Sequence, residues 1–283
     1  MKTLPFIKMH GIGNDFIVVD ATDGSINADR APELSRAIND RKHGVGGDGL
    51  ILVMKGDRAP FRMRMFNPDG SEAEMCGNGI RCVAKYVRER GLTTLDPIPI
   101  ETGAGLLELE TKGTSEEVVN VRVNMGVARL LRGEIPMTGD PTAQASEFEL
   151  EVPGARLVGT AVSMGNPHVV VFVEAVEAVP LETWGTAVES DPLFPQRTNV
   201  HFVQVLGRSE IRMRTWERGA GATLACGTGA CASVVASYVT GRTERCALAH
   251  LPGGDLEIEY AEDGTVYMTG PAESVFEGRW PLS

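Results

Sequence analysis

The sequence predicts an α+β protein built from two similar domains, and three observations carry that expectation. Blocks of residues recur in the same order at a shift of about 150 positions, the mark of a duplicated unit. Each half contains short β-rich runs bounded by Gly, Pro, Asn or Asp. Each half also contains one segment mixing Ala with larger apolar residues that ends near glycine, as helices do.

The recurring blocks come in one order. GNDFIVV at 13–19 meets GNPHVVV at 165–171, and RMRMFNPDGSEAEMCGNG at 62–79 meets RMRTWERGAGATLACGTG at 212–229, which pairs Cys76 with Cys226. AKYV at 84–87 then meets ASYV at 236–239. TGAGLLELE at 102–110 falls over PGGDLEIEY at 252–260, and VNMG at 123–126 over VYMTG at 266–270. The expected division is 1–120 and 121–265, with 266–283 packing back onto the first half.

Taken in chain order, FIVVD, LILVM and FRMRMF are strands of the first half, and VVVFVE, HFVQV and IRMRTW are strands of the second. GVGGDG at 44–49 matches a dinucleotide fingerprint on paper. It precedes the strand-like LILV instead of following a strand and opening a helix, so it reads as a turn. IRCVAKYVRERG at 80–91 and ACASVVASYVTGR at 230–242 are the helices. The stretch at 138–146 breaks the periodicity and reads as a loop near the domain junction.

The 283 residues, 42% of them hydrophobic, suffice for two ordinary cores. A net charge of −11 without a basic stripe argues against nucleic acid or an anionic membrane as principal partner. No apolar run approaches the roughly 18 residues of a membrane span, and no secretory h-region opens the chain. A cytoplasmic protein with reduced thiols is expected, since five cysteines without an export signal do not suggest a disulfide framework. No metal is expected, because no H-E-x-x-H helix appears and the cysteines do not read as a zinc set.

The chemistry centres on Cys76 and Cys226, each followed by Gly-x-Gly where a helix opens. Unpaired N–H groups at a helix N-terminus lower a thiol's pKa and receive anions, and glycines let the backbone approach a ligand closely. One element could thus supply both a base and a carboxylate site. Cys82, Cys231 and Cys246 lack that setting and read as core or incidental residues with no assigned role. Asn14 and Asn166 hold matched Gly-Asn positions, and Asn67 and Asn199 lie beside strand ends, where amides can grip a polar ligand. His168 precedes an apolar strand and could orient a group or tune a thiol, while Glu217 and Arg218 could take an ammonium and a carboxylate. Taken singly, each of these is as readily a turn, core or surface residue.

Two equivalent thiols suit inversion of a stereocentre next to a carboxylate, one removing a proton and the other returning one to the opposite face. KMHGIGNDF, FNPDGSEAEMCGNG, SMGNPH and ERGAGATLACGTGA resemble the signatures of the diaminopimelate epimerase family, in order and nearly end to end. The resemblance implies a cofactor-independent epimerase interconverting LL- and meso-diaminopimelate in lysine and peptidoglycan precursor synthesis, with neither metal nor pyridoxal phosphate. It implies two pseudo-symmetric domains, each a mixed β-sheet wrapped around a central helix, and a homodimer. It makes Cys76 and Cys226 the acid–base pair, with His168 and Glu217 influencing their protonation. Asn14, Asn67, Asn166, Asn199 and Arg218 then hold the substrate, while Gly77, Asn78, Gly227 and Thr228 receive the carboxylate at the reacting carbon.

Two positions depart from common family patterns: Gly49 stands where some members have glutamine, and GAGAT carries Ala222 in place of glutamate. A proline or hydroxyproline racemase would use the same two-cysteine chemistry on a shorter substrate. An amino-acid-binding protein would use the duplicated frame without turnover.

Overall fold

A computed structural model describes residues 3–24 and 26–282. The chain divides into two compact units, Met1–Val123 with Gly270–Ser283, and Asn124–Thr269.

The first unit runs β1 (Thr3–Gly11), β2 (Asn14–Ala21), α1 (Ala31–Ile38), β3 (Gly49–Lys55), β4 (Phe61–Phe66), β5 (Glu72–Ala73), α2 (Gly77–Glu89), β6 (Ile98–Thr102), β7 (Gly105–Gly113) and β8 (Val118–Val127). The second runs β9 (Phe148–Val152), β10 (Ala155–Ser163), β11 (Pro167–Phe172), α3 (Leu181–Glu189), β12 (Asn199–Gly207), β13 (Glu210–Glu217), β14 (Gly221–Thr223), α4 (Gly227–Val239), β15 (Cys246–Leu251), β16 (Gly254–Tyr260) and β17 (Thr265–Pro271). A last strand, β18 (Glu273–Pro281), lies antiparallel to β1. The division between units falls inside β8 and inside β17. The 138–146 loop lies within the second unit and marks no junction, because the alternating sequence of β8 carries the chain from one unit into the other without a linker.

The two units repeat one topology. In the first, β1–β2 is antiparallel, β2–β3 parallel, β3–β4 antiparallel, and β4 pairs with β5 antiparallel and with β6 parallel. In the second, β10–β11, β11–β12, β12–β13, β13–β14 and β13–β15 follow the same sequence of directions. Each parallel pair needs a crossover, which a helix supplies. Thus α1 joins β2 to β3 and α3 joins β11 to β12, while α2 and α4 lie between β4 and β6 and between β13 and β15.

Both faces of the central strands are buried, so they read as continuous apolar runs. Ile17, Val19, Leu50, Leu52 and Phe66 pack with Ala31 and Ile38 of α1. Val169, Val171, Val200 and Phe202 pack with Val188 of α3. The opposite faces are closed by α2, which lies against β1, β2, β4 and β7, and by α4, which lies against β10 to β13 and against β15 and β16. Both helices are therefore central, and even Arg81 and Lys85 of α2 are buried.

Candidate active site

Each central helix begins at one of the matched cysteines. Cys76 caps α2 in extended conformation (φ −141°, ψ 117°), and Cys226 caps α4 in nearly the same one (φ −126°, ψ 100°). Their carbonyls accept the first helical bonds, from Ile80 N and Ala230 N, both at 2.9 Å. The preceding N–H groups, including those of Gly77, Asn78, Gly227 and Thr228, have no partner within the helix, which is what an anion needs at a helix start.

In the first unit, Cys76 is half-buried and its Sγ lies 3.7 Å from Asn14 Oδ1. Asn14 Oδ1 also accepts from Asn78 Nδ2 at 3.1 Å, while Asn14 Nδ2 donates to Asp48 Oδ2 at 2.8 Å. The turn before β2 needs glycine at Gly13 (φ 86°), as the matched turn needs it at Gly165 (φ 94°), and this delivers each asparagine to the start of its strand. Asp48 belongs to a charged cluster: Arg41 bonds Asp15 and Asp48, and Lys8 pairs with Asp15 at 2.5 Å. Burial alone would raise Asp15, but Arg41 and Lys8 hold its carboxyl down at about 2. Beneath α2, the guanidinium of Arg81 donates to Gly77 O, Asn78 Oδ1 and Pro271 O, each at 3.1 Å. Asn67 sits in the turn after β4, where its side chain donates to Ser71 Oγ at 2.9 Å.

In the second unit, Cys226 is buried. Burial pushes its thiol well above the ordinary range, and the charge of the nearby Glu217 carboxylate pushes it further. The N–H of Gly229 and the Thr228 hydroxyl at 3.8 Å pull the other way and are outweighed. At Cys226, burial and Glu217 therefore oppose the helix-end lowering of the thiol pKa expected from the sequence. Glu217 is itself held by Thr223 Oγ1, at 2.6 Å.

Asn199 is held within the unit, donating to Pro167 O at 3.0 Å and accepting from Arg218 N at 3.0 Å. It thus fixes the backbone on which Arg218 stands, and the Arg218 guanidinium donates to Gln196 O at 2.9 Å. His168 is completely buried, with Nε2 2.8 Å from Asn166 Oδ1 and Nδ1 2.9 Å from His201 Nε2. Both ring nitrogens are thus taken, one by Asn166 and one by His201.

The remaining cysteines separate clearly. Cys82 and Cys231 are fully buried, and burial pushes the Cys82 thiol up to about 12; Cys246 is exposed on β15. Sequence reasoning missed Asp48, Arg81, His201 and Thr223. Asp48 lay in view within GVGGDG, and His201 shares the inward face of β12 with Asn199 at the strand period of two, the signal that could have found it.

A sequence model of the diaminopimelate epimerase family matches residues 6–131 and 160–275. The diaminopimelate epimerase of Moorella thermoacetica is 53% identical over 278 residues, covering 98% of this chain and 99% of its own. The chain belongs to the diaminopimelate epimerase family. The diaminopimelate epimerase of Pelotomaculum thermopropionicum is 54% identical over 276 residues, covering 98% of both chains. Among solved structures, a phenazine biosynthesis PhzF-family protein of Bacillus anthracis superposes with a TM-score of 0.71 at 19% identity, covering 100% of both chains. A probable proline racemase of Agrobacterium radiobacter superposes with a TM-score of 0.71 at 16% identity, over 99% of this chain and 93% of its own. These two share the fold.

The departures from common diaminopimelate epimerase patterns fall in contrasting places. Gly49 starts β3, where an added Cβ would lie 3.0 Å from Met65 Cε and 3.2 Å from Phe66 O. Ala222 is an exposed residue of β14, paired with Trp216. Among the described residues, no helix is long and apolar enough to cross a membrane.

Proposed function

We propose that the protein interconverts LL- and meso-diaminopimelate by two-cysteine acid–base chemistry, with Cys76 and Cys226 as the pair. The observation that carries this reading is that each of two topologically equivalent units starts its central helix at one of these cysteines. One thiolate takes the α-proton: the C–H bond breaks, its electrons stay on carbon, and an S–H bond forms. The other thiol gives its proton to the opposite face and is left as thiolate, so the reverse reaction exchanges the roles. Charge pushed onto the substrate carboxylate in the transition state meets the helix-start N–H groups of Gly77, Asn78, Gly227 and Thr228, which stabilise it more than the ground state.

In this reading Asn14, Asn67, Asn166, Asn199, Glu217 and Arg218 bind the substrate or hold the groups that do. Glu217 acts on Cys226 directly, and His168 acts by orienting Asn166. The homodimer and the cytoplasmic location complete the reading; they rest on the family resemblance, and the five cysteines, none of which is in a disulfide, suit a reducing compartment.

Incubation in deuterium oxide with diaminopimelate and, separately, with proline tests the substrate and the reaction together. Deuterium should enter Cα of diaminopimelate as the LL and meso forms equilibrate. Exchange with proline alone would remove the proposed substrate, and tight binding without exchange would make this a binding protein. Light scattering on the eluting protein reads the oligomeric state, for which a mass near twice 30.3 kDa is expected.

A further inference from the structure

The two central helices rest on chemically different surfaces. An added Cβ at Gly79 of α2 would lie 2.9 Å from Ile51 Cδ1 and 3.6 Å from Phe16 Cζ, whereas one at Gly229 of α4 would lie 2.2 Å from His201 Cε1. Strand register makes these positions counterparts. Phe16 pairs with Gly49 across β2 and β3, and His168 pairs with Asn199 across β11 and β12. Ile51 and His201 each lie two residues further along. Ile51 and Phe16 show that this fold needs only apolar groups here. The second unit instead buries two imidazoles completely, which costs desolvation and calls for a polar reason.

Burial holds both rings neutral: His201 is pushed down to about 3, and His168 well below the usual histidine range by burial, His201 and Arg218. A neutral imidazole has one donor and one acceptor. The Asn166 Oδ1 facing His168 Nε2 at 2.8 Å only accepts, so that nitrogen carries the proton. His168 Nδ1 then accepts, and His201 Nε2–H donates to it across 2.9 Å. His201 Nδ1 in turn accepts from the Thr215 hydroxyl at 3.0 Å. Every proton in the chain Thr215–His201–His168–Asn166 has one place.

We propose that His201 is a positioning residue: its hydrogen bond fixes the His168 tautomer that holds the Asn166 carbonyl oxygen inward, leaving the Asn166 NH2 to donate to a carboxylate of the amino-acid substrate. This rests on the substrate role proposed above for Asn166. Without the His201 donor, His168 can carry its proton on either nitrogen, and the Asn166 amide can turn its oxygen toward an anion it should attract.

Nitrogen-15 NMR of the histidine-labelled full-length protein at pH 7 should show both His168 and His201 protonated at Nε2. His201→Ile, which copies the residue of the other half, should give a mixture of His168 tautomers. It should also raise KM for diaminopimelate about five- to tenfold, the scale of one hydrogen bond, with kcat within about twofold. His201→Gln, which keeps a donor, should recover most of the KM. A His168 proton on Nδ1 in the unsubstituted protein overturns the proposal, and that measurement needs no variant to fold. An unchanged KM in His201→Ile also overturns it, provided Asn166→Ala raises KM. If Asn166→Ala itself leaves KM unchanged, the substrate role of Asn166 falls instead.

Discussion

The carboxylate of Glu217, which accepts from Thr223 Oγ1 at 2.6 Å, lies near enough to the buried thiol of Cys226 to raise its pKa. Burial is the larger reason that this thiol resists ionisation, and Glu217 adds to it. Cys226 is therefore held toward its thiol form, the form that the proposed mechanism asks of a proton donor.

Glu217→Gln removes the negative charge and keeps the shape, so Cys226 should ionise at lower pH. At a fixed pH of about 8, its alkylation by iodoacetamide should quicken, about tenfold for each unit by which the pKa falls. Epimerisation should slow, because the proton donor is then less often loaded. Mass spectrometry of the Cys226 peptide reads the first effect, and an unchanged labelling rate would show that Glu217 does not control the thiol.

Cys76→Ser and Cys226→Ser should each lower kcat by about 100- to 10,000-fold, the usual worth of a positioned acid or base. Thermal unfolding should barely move, since serine replaces sulfur at an N-cap that serine favours. Cys82 provides the contrast. Cys82→Ser buries a hydroxyl in α2 and should cost about 1–3 kcal/mol in urea unfolding, with kcat of the folded protein unchanged. Full activity in both cap variants would refute the proposed mechanism.

The duplicated frame was legible because apolar period and glycine spacing are local, and both copies kept them: RMR, the Cys-Gly-x-Gly turns and the Gly-Asn turns stand in equivalent structural places. The support of the site was not legible. Asp48 reaches Asn14 only because β2 and β3 pair in parallel with Phe16 beside Gly49, and His201 reaches His168 only through the β11–β12 register. Such contacts depend on tertiary pairing that no single segment encodes. The raised thiol at Cys226 was hidden for a related reason: helix-end N–H groups are visible in the motif, whereas burial and the approach of Glu217 arise only on folding.

Gly79→Ala and Gly229→Ala should behave differently although the motifs match. At Gly79 the nearest neighbour is the end of the Ile51 side chain, which can turn aside, and alanine's helix preference of about 1 kcal/mol offsets the crowding. At Gly229 the neighbour is the His201 ring, pinned by His168 and Thr215. Its substitution should cost about 2–3 kcal/mol, in the upper range for overpacking. Adding His201→Ala to Gly229→Ala should relieve part of that loss. Equal unfolding midpoints for the two single variants would contradict this asymmetry.

Away from the site, His250 bridges two carboxylates on the surface of the second unit, with Nδ1 2.7 Å from Asp255 Oδ1 and Nε2 2.7 Å from Glu210 Oε1. Its pKa is raised, first by the bond to Asp255, with Glu210 adding to it against the opposing effect of burial. A folded pKa above the unfolded value of about 6.5 means that the native state binds this proton more tightly. The resulting stabilisation is complete below about pH 6.5 and disappears as pH rises through the folded pKa. Partial solvent exposure keeps it under about 1 kcal/mol. Urea unfolding of the full chain at pH 6 and pH 9 should therefore show a larger loss of stability with rising pH than His250→Gln shows over the same interval. The difference should shrink in 1 M salt, where screening acts over about 3 Å. A substituted protein with the same pH dependence as the original would mean that the two carboxylates do not hold the proton on His250.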